Sequence, residues 1–178
     1  MGGAKGDLVT KRAEDKERNA PDLDPDEKQR VQRANQILLR LKKELHERET
    51  RFSERDVEEA AQSARWLRET LDRHPEGWEQ AYENALAGSD LAGEEESYLR
   101  KGVENAGGFA QFAQSNLQRL EDAAPLEGEP SEGTTAKITH QDLVCGVAAG
   151  LVAGGVVMGN SFYFGFGIGM SRKAGDCW

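Results

Sequence analysis

Along the first two thirds of the chain, hydrophobic residues recur every three or four positions, the spacing of one face of an α-helix. Charged residues fill most positions between them. The first stripe begins after Asp24-Pro25, a pair typical of a helix N-terminus, and it predicts a helix over residues 25–50. Its apolar positions are Val31, Ala34, Ile37, Leu38, Leu41 and Leu45.

The same spacing continues through residues 53–121. Ser53 and Asp56 match a capping box, which predicts the start of a second helix over about 53–74. Shorter stripes follow between turn-forming residues, and no segment here alternates with period two. The sequence therefore predicts an all-α fold, a small antiparallel helical bundle over residues 25–121. The later apolar positions are Trp78, Tyr82, Leu86, Leu91, Tyr98, Leu99, Val103, Phe109, Phe112, Ala113, Leu117 and Leu120.

A short coiled-coil contact is the alternative to an isolated bundle. Val31, Leu38, Leu45 and Phe52 lie seven positions apart. The positions between them become charged, whereas a sustained coiled coil needs three or four good heptads. A dimer contact through this helix remains open.

Two polar segments flank the predicted bundle. Residues 1–24 are charged and poor in large apolar groups, and they predict a flexible arm. Residues 122–141 are rich in Pro, Gly, Ser, Thr and Glu, and they predict a solvated linker.

The C-terminal segment, residues 142–170, differs from the rest of the chain. No charged residue occurs from Leu143 to Met170. A bilayer core requires about 20 apolar residues in a helix, so this glycine-rich segment is long enough to span one. It predicts a transmembrane or membrane-interacting segment, with a lipid membrane as partner, followed by a short basic tail over residues 171–178.

The glycines of this segment follow a helical pattern. Gly146, Gly150 and Gly154 lie four apart, and Gly155 and Gly159 repeat the spacing on an adjacent face. Such glycine zippers allow close helix packing in lipid, and this one predicts a homo-oligomer. A flexible, weakly hydrophobic tail is the alternative. Each glycine weakens a helix by roughly 1 kcal/mol relative to alanine, so the helix needs a bilayer or partners.

The pattern changes after Asn160, where aromatic residues alternate with glycine. Period two suits a strand or a loop, although helical continuation is also compatible with the glycine spacing. We favour one tilted helix over about 142–170. The alternative is a helix that ends at Gly159-Asn160, with the aromatic part returning or lying at the interface. The predicted membrane-interface residues are Phe162, Tyr163, Phe164, Arg172 and Lys173.

Charge and cysteine content exclude several classes of function. The first 142 residues hold 21 basic and 31 acidic groups, a net charge of −10, so nucleic acid is not an expected partner. Cys145 and Cys177 show neither a disulfide framework nor metal-type spacing, and they do not indicate an oxidising compartment.

Orientation in a membrane is ambiguous. The N-terminal segment lacks the apolar region of a signal peptide, which predicts a cytoplasmic helical region. Arg172 and Lys173 instead favour a cytoplasmic C-terminus by the positive-inside rule.

No catalytic or cofactor-binding motif is present, so we expect a protein that is not an enzyme and has no catalytic residues, cofactor or metal. His46, His74 and His140 are scattered, and His74 is interpreted as a cation at a helix C-terminus.

Three functions are compatible with this plan. The leading hypothesis is a membrane-anchored helical protein that scaffolds a protein partner and self-associates through its glycine zipper. The second is a delivered membrane-active protein, such as a pore-forming toxin, a bacteriocin-like precursor, or a viral or secretion translocator. The third is a soluble capsid or scaffold subunit with a buried glycine-rich tail.

Overall fold

The computed structural model describes residues 21–47, 53–123, 140–173 and 177–178, in which all regular structure is helical. The predicted all-α class is confirmed. Most of the predicted arm and linker lie outside these residues. The seven described helices are α1 (Pro25–Glu47), α2 (Glu54–Arg73), α3 (Trp78–Ala87), α4 (Gly93–Ala106), α5 (Phe109–Ala123), α6 (His140–Met158) and α7 (Phe162–Lys173).

The first two helices begin and end close to the predicted positions, and most apolar stripe residues of α1–α5 whose side chains the structure describes are buried. Helix α2 starts with the predicted capping box: the Ser53 hydroxyl accepts from the Asp56 amide at 3.1 Å, and the Asp56 carboxylate accepts from the Ser53 amide at 3.2 Å. The fully buried stripe residues include Val31, Leu38, Leu41, Ala60, Ala64, Leu67, Leu99, Phe109, Leu117 and Leu120.

Helix α6 forms the centre of the core. It contacts α1, α2, α3, α5 and α7, and every residue from 143 to 157 is buried. A helix that is apolar on all sides has no face suited to water, so amphipathic helices surround it. We call α1–α5 the sheath and α6–α7 the hairpin.

The favoured single helix over residues 142–170 is wrong, because the chain turns back after Met158. Gly159 adopts the left-handed conformation with φ of 68°. Its amide donates to the Val156 carbonyl, and the Asn160 amide donates to the Gly155 carbonyl at 2.8 Å. This is a Schellman ending, which terminates a helix at glycine.

Residues after the turn form α7, which packs against α6. The period-two alternation of aromatics and glycines therefore does not mark a strand. It does not mark a continuation of α6 either, because α7 is a separate helix after the turn, in agreement with the alternative in which the first helix ends at Gly159-Asn160.

Candidate functional site: the buried hairpin

Helix α6 has the dimensions of a bilayer span. Its residues Gln141–Met158 are long and apolar enough to cross a membrane, and 83% of this stretch is buried inside the protein. The core helix of a soluble protein meets the same criterion. The surroundings of the hairpin must therefore indicate which role applies.

Three of the predicted packing glycines face the sheath of the same chain. A Cβ atom at Gly146 would lie 2.5 Å from Leu120 Cδ2, and one at Gly150 would lie 2.9 Å from Leu38 Cδ1. At Gly154 it would overlap the side chain of Asn35. These glycines allow α1 and α5 to approach the α6 backbone closely.

The remaining two glycines shape the hairpin itself. A Cβ at Gly155 would lie 2.9 Å from Tyr163 Cβ, so this position faces α7. Gly159 forms the turn. The predicted glycine set thus lies within contacts of a single chain, and zipper-mediated self-association stays a prediction.

Asn35 is a site residue that sequence reasoning missed. It is 2% exposed, and its Nδ2 donates to the Gly154 carbonyl at 3.4 Å. Its Oδ1 has no hydrogen-bond partner among the described residues. The available signal was a polar residue four positions after Val31 and three before Leu38, within the apolar stripe of α1.

The predicted membrane-interface residues do not form one surface. Phe164 is fully buried, with its ring 6.4 Å from that of Tyr82 in the sheath, and Tyr163 is half-buried. Phe162 is 76% exposed, and Arg172 is exposed near the end of α7. The side chain of Lys173 lies outside the described residues.

The outward face of α7 instead combines Phe162 with Gly165 and Phe166. Phe166 is 40% exposed, and Gly165 is exposed with no other atom within 4 Å of an added Cβ. The Lys42 ammonium lies 4.8 Å from the centroid of the Phe166 ring, a cation–π contact.

The inner face of α7 contacts an apolar part of the sheath. Tyr82 stacks on Phe109 with a centroid distance of 5.3 Å. Burial raises the pKa of the Tyr82 hydroxyl to about 12, because the phenolate would be desolvated there. The Phe164 ring of α7 thus faces an aromatic part of the sheath.

Cys145 and Cys177 form a disulfide, with their Cα atoms 5.4 Å apart. The prediction of no disulfide is therefore wrong. The bond joins α6 to the C-terminus and closes a loop that contains the whole turn and α7. The two cysteines are 32 positions apart, and only the reversal at Gly159 brings them together.

The C-terminal residue next to this disulfide contacts the sheath. The Trp178 ring stacks on Tyr98 at 5.6 Å and meets Phe112 edge-on at 5.0 Å. A Cβ at Gly102 would overlap the Trp178 ring, so this glycine provides the space for it. We call the Cys145–Cys177 disulfide together with Trp178 the clasp.

Hydrogen bonds reinforce the clasp. The Tyr98 hydroxyl accepts from the Trp178 amide at 3.1 Å and shares a hydrogen bond with the Ser171 hydroxyl. The Ser171 hydroxyl also accepts from the Cys177 amide at 3.3 Å. The C-terminus is thus connected to α4 as well as to α6 and α7.

Among the described residues, no group of three His, Cys, Asp or Glu side chains is placed to hold a metal ion. No protein-family model, curated protein or solved structure matches the chain.

Proposed function

We propose that this chain is a membrane-active protein that carries a bilayer-inserting hairpin in a shielded form and transfers it to a membrane when the sheath opens. It would then belong to the delivered, membrane-active class among the hypotheses drawn from the sequence. The observation that carries this proposal is the burial of every residue from 143 to 157, in a helix of bilayer length, by helices with charged outer faces.

The absence of charge on the exposed part of the hairpin between Leu143 and Met170 supports this function over that of an ordinary core helix. Phe162, Gly165 and Phe166 contact solvent, yet no charged residue occurs in the hairpin between Leu143 and Met170. Charged residues make up 31% of the chain. A helix that functions only in water would gain solubility from charge on this face, whereas a helix that enters lipid would be penalised by it.

The glycine content of α6 gives a second line of support. Four of its 19 residues are glycine. Each disfavours an isolated helix by roughly 1 kcal/mol relative to alanine, so the helix depends on close partners. The sheath provides such partners in the shielded form. In a bilayer the same glycines suit close packing between hairpins.

Membrane anchoring without permeabilisation is the alternative, in which the helical region scaffolds a partner. Both functions require α6 to leave the sheath, so binding to vesicles does not separate them. Release of an encapsulated dye does, because only a membrane-active hairpin disturbs the bilayer.

Substitution of Gly165 by Asp tests the proposal with little effect on the shielded fold. Gly165 is exposed with open space around it, so an aspartate side chain at this position can be accommodated in the shielded form without a clash at its Cβ. In the bilayer the charge opposes insertion, by roughly 2.5–3.5 kcal/mol at the centre of a membrane-spanning helix and by less towards its ends. We expect dye release from vesicles to fall by about tenfold or more, since each 1.4 kcal/mol is a factor of ten.

Gly93→Asp is the matched control. Gly93 has equally open surroundings but lies at the start of α4, outside the hairpin. We expect wild-type dye release from this variant. Flotation of the wild type with vesicles but no dye release would favour anchoring, and equal dye release by the two Asp variants would contradict hairpin insertion.

A further inference from the structure

The clasp connects the hairpin to the sheath at the end opposite the turn. Trp178 lies against Tyr98 and Phe112, in the space left by Gly102. The adjacent Cys177 is bonded to Cys145, which is buried in α6. A continuous path of contacts and covalent bonds therefore runs from α4 and α5 through the C-terminus to the central helix.

This path restricts how the hairpin can leave. While the disulfide is intact, α6 cannot move out of the sheath unless Trp178 leaves its position or the C-terminus moves with α6. Once the disulfide is broken, α6 is connected to the C-terminus only through the turn and α7. The hairpin then separates from the sheath in smaller steps, each of which disrupts fewer contacts at once.

We propose that the clasp is a redox-sensitive lock: the oxidised disulfide keeps the hairpin in its sheath, and reduction by a dithiol makes its release faster. The effect on membranes rests on the proposed function, whereas the lock itself can be tested without a membrane.

The chemistry of unlocking is ordinary thiol–disulfide exchange. A thiolate of the dithiol attacks one sulfur of the Cys145–Cys177 bond, and Cys177 is the more accessible because it is only half-buried. This attack releases the Cys145 thiolate and leaves a mixed disulfide on Cys177, which the second thiol of the reductant attacks to release the Cys177 thiolate. Two electrons and two protons pass to the protein, which gains two thiols, and the reductant becomes a disulfide.

The experiment compares the full chain in oxidised form, in dithiothreitol, and as the double variant Cys145→Ser/Cys177→Ser. Hydrogen exchange of the α6 amides is measured without vesicles, and dye release is measured with them. We expect both to be faster by about a hundredfold or more after reduction, because removing a cross-link over a loop of this length shifts the equilibrium for complete opening by two to three orders of magnitude.

Two further variants separate the lock from general destabilisation. Trp178→Ala removes the contact with the sheath but keeps the disulfide, and it should accelerate α6 exchange. Trp66→Ala is the matched control, because Trp66 is also a partly buried tryptophan but lies on α2, outside the clasp. The two variants are compared under conditions in which they have lost equal stability. The Trp66→Ala variant should then retain slow hydrogen exchange of the α6 amides while its disulfide is intact.

The outcomes for the two proposals differ. Equal exchange of α6 in the oxidised and reduced proteins overturns the lock, whatever the vesicles show. Faster exchange without dye release from any form supports the lock and contradicts the membrane-active function. Dye release that is faster for the oxidised protein than for the reduced protein also overturns the lock.

Discussion

At the scale of single residues, the glycines on α6 determine how closely the sheath approaches the hairpin. Gly154 is the most restrictive of these, because an added Cβ would overlap the side chain of the buried Asn35. Asn35 also donates to the Gly154 carbonyl, so it has little freedom to move away. At Gly146 and Gly150 an added Cβ would come close to the buried side chains of Leu120 and Leu38, but less close than at Gly154.

Replacement of Gly154 by leucine should therefore destabilise the shielded fold. We expect a loss of about 1–3 kcal/mol in the free energy of unfolding, the usual range for overpacking a core. Urea denaturation followed by circular dichroism measures it. Gly169→Leu is the control, since a Cβ at Gly169 meets nothing within 4 Å and the gain in helix propensity is the same. Equal stabilities of the two variants would contradict the close packing of α6.

At the scale of elements, the N-terminus of α1 is joined to the C-terminus of α2. The Asp24 carboxylate accepts from the Glu27 amide at 2.8 Å, and the Glu27 carboxylate accepts from the Asp24 amide at 3.2 Å. Glu27 is 3% exposed, and its carboxylate lies 3.1 Å from His74 Nε2. The interpretation of His74 as a group at a helix C-terminus agrees with its position after α2.

The Asp24 cap predicts a pH dependence of stability. The hydrogen bond from the Glu27 amide is the largest cause that lowers the pKa of Asp24. Because the folded pKa lies below the unfolded one, the carboxylate stabilises the fold above the unfolded value of about 3.9, and this contribution is lost as pH falls through the folded pKa. We expect Asp24→Asn to weaken the pH dependence of the urea midpoint below about pH 4, since the amide retains an acceptor oxygen but does not ionise.

Asp26→Asn is the matched control for this measurement. Asp26 is an exposed carboxylate in the same first turn of α1. If the Asp24 cap is responsible, the pH dependence should change more for Asp24→Asn than for Asp26→Asn. Identical profiles for the wild type and Asp24→Asn would contradict this role. Since α1 contacts α6, loss of the cap in acid would also loosen the sheath.

At the scale of the whole molecule, the disulfide restricts the unfolded chain as well as the hairpin. Cys145 and Cys177 are 32 positions apart. The entropy of closing a loop of this size predicts a stabilisation of about 3–4 kcal/mol. We expect the free energy of unfolding of the oxidised protein, measured by urea denaturation, to be higher than that of the Cys145→Ser/Cys177→Ser variant by this amount. The variant in dithiothreitol provides the control for effects of the reductant, and equal stabilities of the oxidised protein and the variant would contradict a stabilising cross-link.

Much of the helical structure was determined by the sequence alone. The stripes of α1 and α2 and the Ser53 capping box predicted both helices to within a few residues, because the period of 3.6 and the cap are local features. The uncharged stretch after Leu143 likewise predicted an apolar helix. The apolar character of this helix does not depend on what surrounds it, whereas its C-terminal end was predicted in the wrong place.

The surroundings of that helix were decided only by the tertiary structure. An apolar helix is stabilised equally by lipid and by the inner faces of amphipathic helices, so periodicity does not distinguish the two. The turn at Gly159 replaced the favoured single span, although the sequence had offered Gly159-Asn160 as the other end point. The Cys145–Cys177 bond and the Trp178 contact with Gly102 depend on that turn, because contacts between distant residues arise only once the chain reverses and the helices pack.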